Sequence, residues 1–122
     1  MQIVEMVEGQ SGRVLLPRVQ VAESFRHRLV GLMGRASLEP GSGMLFPGES
    51  SIHMFFMRFA IDVVYLDSDG SVRRIVNKLR PWRISWCPGA DAVLEAPPGW
   101  AAEVGLKQGT SVRFEEVAQR QP

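Results

Sequence analysis

Apolar and polar residues alternate in short runs along this chain, and each run stops near glycine, proline or aspartate. The most apolar strand-like run, Ile61 to Leu66, is followed by Asp69 and Gly70, a dipeptide typical of a tight hairpin turn. Many short strands with turn residues between them predict a mainly β domain, either a compact β-sandwich of jelly-roll type or a barrel. Besides 61–66, strands are predicted over 3–7, 13–16, 19–21, 44–46, 72–79, 92–96 and 111–117.

One segment has the period of a helix instead. Over residues 22–33, large apolar side chains recur at intervals that place them on one helical face, and Gly34 ends the segment. A short helical turn is predicted over 100–106. No repeat or linker interrupts the chain, so we expect a single domain over residues 1–122, with a disordered tail over 118–122. The residues on the apolar helical face are Phe25, Leu29, Leu32 and Met33.

The composition narrows the classes of function. The formal net charge is +1, so we expect no nucleic-acid partner, because dedicated nucleic-acid binders usually carry a strong basic excess. Cys87 is the single cysteine, which excludes an intrachain disulfide and a zinc site built from several cysteines. The N-terminal residues do not resemble a signal peptide, and no apolar run reaches the length of a membrane span. We therefore expect a cytoplasmic protein with no membrane contact.

Ionisable side chains lie inside the most apolar part of the chain, residues 50–67. His53, Arg58 and Asp62 are among them, and a buried charge is costly unless it is paired or hydrogen-bonded. We expect Asp62 to have a partner, which Arg58, His53 or Arg83 would supply. One hypothesis is a carboxylate in a pocket, tuned by a cation for binding or acid–base chemistry. The other hypothesis is that Asp62 is a structural anchor that accepts hydrogen bonds from the backbone N–H groups of a loop. Buried acids have this structural role more often than a catalytic one.

Cys87 and His53 form a second candidate constellation. A thiol beside an imidazole, with Asp62 as the orienting group, is the arrangement of a cysteine hydrolase. Thioether, thiol and imidazole donors together also suit Cu(I). A lone cysteine and scattered methionines more often fill an irregular core, so we expect neither a metal nor a cofactor. The soft donors in question are Met44, His53, Met54, Met57 and Cys87.

A basic and aromatic stretch covers residues 73–86, with five cations and two tryptophans. Such a stretch suits stacking on bases beside phosphates, an anion or sugar site, or a solvated strand edge that resists aggregation. For Arg73, Arg74 and Lys78 we favour the solvated edge. The loop over 80–83 is different, because a proline-fixed loop with a large aromatic residue normally lies against something. We expect this loop to form the rim of a pocket.

Six short motifs occur in a fixed order between about Val19 and Phe114: residues 31–35, 43–46, 53–67, 79–83, 87–90 and 93–95. This combination resembles the prokaryotic domain-of-unknown-function family 192, also called uncharacterised protein family 0127. The resemblance implies a compact β-rich domain with a short helix, and no established reaction, cofactor or partner. The family pattern often reads His-Thr-Phe-Gly-Met-Arg-Phe-Pro-Ile-Asp. Here Met54, Phe56 and Ala60 replace its threonine, glycine and proline, which alters any site to which those residues belong.

Three hypotheses about function are open. We favour a small-molecule or peptide binding domain, with a pocket between the 53–62 segment and the 80–83 loop. The alternatives are a structural or interaction module that forms a homodimer, and an enzyme that uses Cys87 with His53, or Asp62. No catalytic residue is assigned. The residues predicted to bind are His53, Met57, Arg58, Asp62, Trp82, Arg83 and Cys87.

Overall fold

The computed structural model describes residues 2–22 and 37–117, and it confirms a mainly β single domain. The predicted helix over 22–33 and the predicted tail over 118–122 lie outside the described residues, Ala22 excepted. The predicted helical turn near residue 100 is present as a short α-helix. The elements are β1 (Gln2–Glu8), β2 (Val14–Val21), β3 (Ser42–Pro47), β4 (Ser51–His53), β5 (Ile61–Leu66), β6 (Val72–Leu79), β7 (Ile84–Trp86), β8 (Ala92–Ala96), α1 (Trp100–Glu103) and β9 (Val112–Glu116).

Seven of the strands form one mixed sheet in the order β6-β5-β8-β3-β2-β1-β9. Only the β2–β3 pair is parallel among these strands. The sheet curls until its two edges meet at one end, where Ser71 and Ser111 form an isolated β-bridge and the Val72 N–H donates to the Thr110 carbonyl at 2.9 Å. The strands β6 and β9 form no continuous ladder, so the sheet is not a closed barrel.

Two cores lie on opposite faces of this sheet. Strand β5 contributes to both, because its side chains alternate between the faces. Val64 and Leu66 belong to the helix-side core, which α1 covers with Trp100 and Ala101. The ribbon-side core lies under the two-stranded ribbon of β4 and β7, and it contains Ile61, Val63, Tyr65, Ile52, Met54, Met57 and Cys87.

The hairpin predicted at Asp69 and Gly70 is confirmed. The Gly70 N–H donates to the Asp67 carbonyl at 3.0 Å, and β5 pairs with β6 on either side of the turn. Asp69 Oδ1 accepts a hydrogen bond from the Ser71 N–H at 2.9 Å, and this bond lowers the pKa of Asp69. The carboxylate therefore reinforces the turn at neutral pH.

Strand β2 differs from the sequence-based expectation of two separate strands over 13–16 and 19–21. It runs without interruption from Val14 to Val21, through Pro17. The pairing with β1 shifts between the pairs Met6–Leu16 and Val4–Val19, so Pro17 lies at a bulge. A bulge tolerates proline because one ladder hydrogen bond is already missing there.

The β4–β7 ribbon was not predicted, because each of its strands is only three residues long. Its inner face buries Ile52 and Ser85 against the ribbon-side core. Two side chains of the large sheet fasten it, since the Tyr65 hydroxyl donates to Ser85 Oγ at 2.8 Å and Arg74 Nη1 donates to the Trp86 carbonyl at 3.0 Å. The outer face is consequently held out to solvent. No helix in residues 2–22 and 37–117 is long and apolar enough to cross a membrane.

Candidate functional site

Two tight turns meet at one end of the β4–β7 ribbon. In the first, the Met57 N–H donates to the Met54 carbonyl at 3.2 Å, and in the second the Arg83 N–H donates to the Arg80 carbonyl at 3.3 Å. Met54 also joins the turns, because its N–H donates to the Arg83 carbonyl and its carbonyl accepts from the Trp82 N–H, both at 2.7 Å. The start of the 53–62 segment and the 80–83 loop are therefore neighbours.

Both turns place an aromatic residue where the backbone favours glycine. Phe56 has φ of 65° and Trp82 has φ of 68°, and each is the third residue of its four-residue turn. Positive φ at the third position alone is the type II pattern, in which proline favours the second position, as Pro81 does here. An L-residue with a side chain pays about 1–2 kcal/mol for this conformation. This unfavourable conformation occurs in both of the neighbouring turns.

The side chains of these turns form a row of rings, which we call the aromatic platform: His53, Phe55, Trp82 and Phe56. The ring centroids of His53 and Phe55 are 4.8 Å apart, those of Phe55 and Trp82 are 5.9 Å apart, and those of Trp82 and Phe56 are 4.9 Å apart. Trp82 is 58% exposed and Phe56 is 61% exposed. Mutual contact fixes the rings while much of their surface stays in water.

The outer face of β7 continues this apolar surface. Ile84 is the cross-strand partner of His53, and both Ile84 and Trp86 are more than half exposed. Beside them, a groove with a volume of about 220 Å³ separates β7 from strand β6. The groove is open to solvent and combines apolar side chains with one cation. Its lining consists of Arg74, Val76, Leu79, Ile84, Ser85 and Trp86.

The segments that carry this surface contribute cations and no acid. Residues 50–61 and 72–90, which carry the platform and the groove, contain no acidic residue. Arg58, Arg80 and Arg83 are exposed and belong to the two turns or directly follow them, and Arg74 lines the groove. The surface is thus aromatic with guanidinium groups at its margins, which suits ligands with flat or anionic groups.

The structure separates the residues that the sequence predicted as one binding site. His53 and Trp82 are part of the aromatic platform, and Arg58 and Arg83 lie in the exposed segments beside it. Met57 and Cys87 are buried in the ribbon-side core, at 4% and 7% exposure. The remaining residue, Asp62, belongs to the opposite face of the large sheet.

Asp62 is completely buried and anchors backbone. Its Oδ1 accepts hydrogen bonds from the N–H groups of Lys78 at 2.9 Å and Gly99 at 3.1 Å, and its Oδ2 accepts one from Ala101 at 2.9 Å. The β5–β6 pairing bulges opposite Asp62, where Lys78 has φ of 53° and turns its N–H toward the carboxylate. The carboxylate thus ties β6 and the start of α1 to β5, as the structural-anchor hypothesis expected.

Cys87 and His53 are not arranged as a catalytic pair. His53 is paired with Ile84, whereas the Cys87 N–H donates to the carbonyl of Ser50, three residues before His53 and just outside β4. This offset corresponds to about 10 Å at about 3.3 Å per strand residue. The thiol is buried in the core, and Nδ1 of His53 accepts a hydrogen bond from the Phe55 N–H at 3.3 Å. Within 2–22 and 37–117, no three His, Cys, Asp or Glu side chains form a group able to hold a metal ion.

Half of the platform has no clear signal in the sequence. Phe55 and Phe56 lie inside an apolar run, and the turn there has no glycine or proline to mark it. The one available signal was the family pattern, which often has glycine where this chain has Phe56. A position that favours glycine is one with positive φ, and here the structure shows it.

The strain at Phe56 leads to a stability prediction. Glycine and alanine at position 56 both remove the ring contact with Trp82. Only glycine also removes the penalty for positive φ, which alanine keeps. We expect Phe56→Gly to be more stable than Phe56→Ala by about 1 kcal/mol. Urea unfolding curves of the two variants measure the difference. An alanine variant as stable as the glycine variant would show that residue 56 is not strained.

Comparisons with known proteins agree on the family. The family model described as "Uncharacterized ACR, COG1430", the DUF192 family, matches residues 6–114. A UPF0127 protein from Thermococcus sibiricus is 32% identical over 94% of this chain and 77% of its own length. A second, from Pyrococcus abyssi, is 36% identical over 80% of this chain and 86% of its own length.

Solved structures share the fold. The crystal structure of a Sinorhizobium meliloti protein, described as a candidate transcription regulator, has a TM-score of 0.77 and 28% identity, covering 93% of this chain and 92% of that one. A Novosphingobium aromaticivorans protein of unknown function has a TM-score of 0.75 and 29% identity, over 91% of this chain and 83% of its own. From the matched residues and the shared fold, the chain belongs to the uncharacterised DUF192 family, whose archaeal relatives bear the name UPF0127.

Proposed function

We propose that the protein is a binding domain, and that it holds a small molecule or a peptide on the aromatic platform and the adjoining groove. The observation that supports this proposal is the pair of exposed aromatic residues with positive φ, Phe56 and Trp82. Strained backbone is retained where the surrounding structure imposes it, and it concentrates at binding and catalytic sites. Stability alone favours glycine at both positions, so the rings serve another purpose.

The geometry favours binding over catalysis. The buried thiol and the half-buried imidazole lie apart, and both Asp62 oxygens are engaged by backbone N–H groups. The platform instead offers exposed aromatic area with cations at its margin, which gives affinity and orientation without a nucleophile or a base. The single thiol suits a reducing compartment, and we place the protein in the cytoplasm.

Native mass spectrometry of freshly purified protein tests this proposal. We expect an extra mass that is released on denaturation, present in the wild type and absent from Trp82→Ala. Val14→Ala is a matched control, because Val14 is 46% exposed and lies on β2, outside the ribbon. It should keep the extra mass. An extra mass that Trp82→Ala retains in full would place the ligand elsewhere and contradict the proposal.

The second candidate function is an interaction module in which two copies pair through the same surface. The observation in its favour is the clustering of Phe56, Trp82, Ile84 and Trp86, each more than half exposed, because monomers rarely display large contiguous apolar patches. The native spectra distinguish it. A dimer mass in the wild type that becomes a monomer mass in Trp82→Ala would favour the interaction module over the binding domain.

A further inference from the structure

We propose that the ligand of the aromatic platform is a single-stranded nucleic acid, whose bases stack on the platform and whose phosphates contact the surrounding arginines. This inference rests on the proposed binding function and names the ligand class for the same surface. The net charge of +1 led us to expect no nucleic-acid partner. We now propose one, because the segments that carry the platform and the groove contain cations and no acid.

The rings form a row longer than one base, because successive centroids from His53 through Phe55 and Trp82 to Phe56 are 4.8, 5.9 and 4.9 Å apart. Their planes are inclined to one another by 31°, 33° and 60°, so the row offers separate stacking positions to consecutive nucleotides and not one flat surface. Stacking on aromatic side chains tolerates any sequence, because every base has a π face. The aromatic platform therefore suits a strand better than a single small ring.

The charge of the two segments that carry the surface differs from the net charge of the chain. The net charge of the chain averages over acids that lie elsewhere, since residues 50–61 and 72–90 contain six cations and no acid. Arg73 is paired with Asp67 at 2.9 Å, and Lys78 lies near Gly99 on the helix side of the sheet. Arg74 lines the groove, and its Nη1 donates to the Trp86 carbonyl. Arg80 and Arg83 are exposed in the second turn, and their planar guanidinium groups match phosphate.

Hydrogen bonds hold the aromatic platform in place. The two turns are tied together by the hydrogen bonds of Met54, and the ribbon is tied to the large sheet by Tyr65 and Arg74. The rings are therefore positioned before the strand arrives, and little conformational entropy is lost on binding. A bilayer contact has no need of rings held in a row at strained turns, so we favour the strand over an anionic membrane surface.

Fluorescence anisotropy with a fluorescein-labelled 12-nucleotide oligothymidylate at low salt is the direct experiment. We expect saturable binding that Trp82→Ala weakens by about five- to one-hundred-fold, within the range of one lost base–aromatic stack. Trp82→Phe should restore most of the affinity, because a phenyl ring still stacks. Val14→Ala should bind like the wild type. Denaturation curves of each variant verify that the domain is folded.

The arginines give an independent readout. Arg80→Gln and Arg83→Gln should each reduce the slope of log affinity against log salt by about 0.7, the value for one phosphate contact to a single strand. Arg18→Gln is the matched control, because Arg18 is exposed on β2 and outside the ribbon. It should leave the slope unchanged. Unchanged slopes for both Arg80→Gln and Arg83→Gln would contradict the proposed phosphate contacts.

Competitors separate the sources of affinity. Unlabelled oligothymidylate should displace the probe, whereas thymidine monophosphate, inorganic polyphosphate and a 12-base-pair duplex should do so at least ten-fold less well. Equal competition by polyphosphate would show that charge alone explains the binding of the probe, and it would overturn the inference. Oligothymidylate binding that is insensitive to Trp82→Ala would also overturn it.

A membrane surface is the alternative partner. Binding of phosphatidylserine vesicles through Trp82, without binding of oligothymidylate, would favour it and overturn the inference. If oligothymidylate does not bind, but Trp82→Ala still removes the extra mass from the native mass spectrum, the proposed binding function is supported and the single-strand inference is contradicted.

Discussion

Replacing Asp62 with alanine is expected to lower the free energy of unfolding by about 3–5 kcal/mol. The carboxylate accepts three backbone hydrogen bonds, and alanine leaves all three donors without it. Each orphaned donor costs about 1–3 kcal/mol where water cannot reach it. The Ala101 N–H is fully buried, and the N–H groups of Lys78 and Gly99 are partly buried, so the total lies below three full penalties.

Two further variants sharpen this prediction. Asp62→Asn preserves the shape but turns an amide nitrogen toward at least one backbone donor, so we expect a smaller loss of about 1–3 kcal/mol. Asp91→Ala is the control, because Asp91 is exposed and its side chain forms none of these bonds; its effect should stay within about 0.5 kcal/mol. Urea unfolding measures all three. An unfolding midpoint of Asp62→Ala equal to that of the wild type would refute the anchor.

The second large effect concerns the three tryptophans, of which one is buried and two are exposed. Trp100→Ala should lower the free energy of unfolding by about 3–5 kcal/mol, because it opens a cavity in the helix-side core. Trp100 is 6% exposed, and its indole Nε1 donates to the Leu15 carbonyl at 2.8 Å, so Trp100→Phe still leaves that buried acceptor without its donor. We expect about 1–3 kcal/mol for the phenylalanine variant.

The same substitution at the other two tryptophans provides the comparison. Trp86 is 61% exposed and Trp82 is 58% exposed, so Trp86→Ala and Trp82→Ala should each cost no more than about 1 kcal/mol. The measurement is thermal or urea unfolding of the four variants beside the wild type. A loss of about 3 kcal/mol or more at Trp82, on the order of the large core penalties, would mean that the aromatic platform supports folding, which would contradict its assignment as a binding surface.

The parts of the fold that sequence predicted are those with strong local signals. Strand β5 and its hairpin with β6 were predicted because an apolar run ended at Asp69 and Gly70, and β8 because Pro97 and Pro98 stop it. The strands β4 and β7 gave no such signal. Each is three residues long, and their pairing depends on contacts with Tyr65 and Arg74 that only the folded sheet provides.

The candidate site was predicted in part, for a related reason. Alternation along β5 puts Asp62 and Val64 on the same face of the strand, but the partner of Asp62 depends on the distant α1, which lies near it only in the folded chain. The 80–83 loop is recognisable in the sequence because a proline-fixed loop with a large aromatic residue normally lies against something; in the structure this loop is a turn beside the 54–57 turn, and Trp82 is 58% exposed. Phe56 was overlooked, because a phenylalanine inside an apolar run gives no indication of positive φ.

The departure from the family pattern at Phe56 bears on what distinguishes this chain. Glycine, which the pattern often has there, satisfies the turn at no steric cost, whereas phenylalanine adds an exposed ring in contact with Trp82. Relatives with glycine at this position would present a shorter row of rings. We therefore expect the extent of the aromatic platform, and with it ligand affinity, to vary within the family while the Asp62 anchor serves the fold.

The most direct test of the platform as the binding surface is a titration followed by the tryptophan indole N–H signals in a two-dimensional ¹⁵N–¹H spectrum. The chain has three tryptophans, so Trp82→Ala and Trp86→Ala assign all three signals. The added compounds would be small aromatic, peptide and nucleotide molecules. The account predicts that binding compounds shift the Trp82 and Trp86 signals and leave the buried Trp100 signal in place. Compounds that bind without moving the Trp82 signal would contradict it.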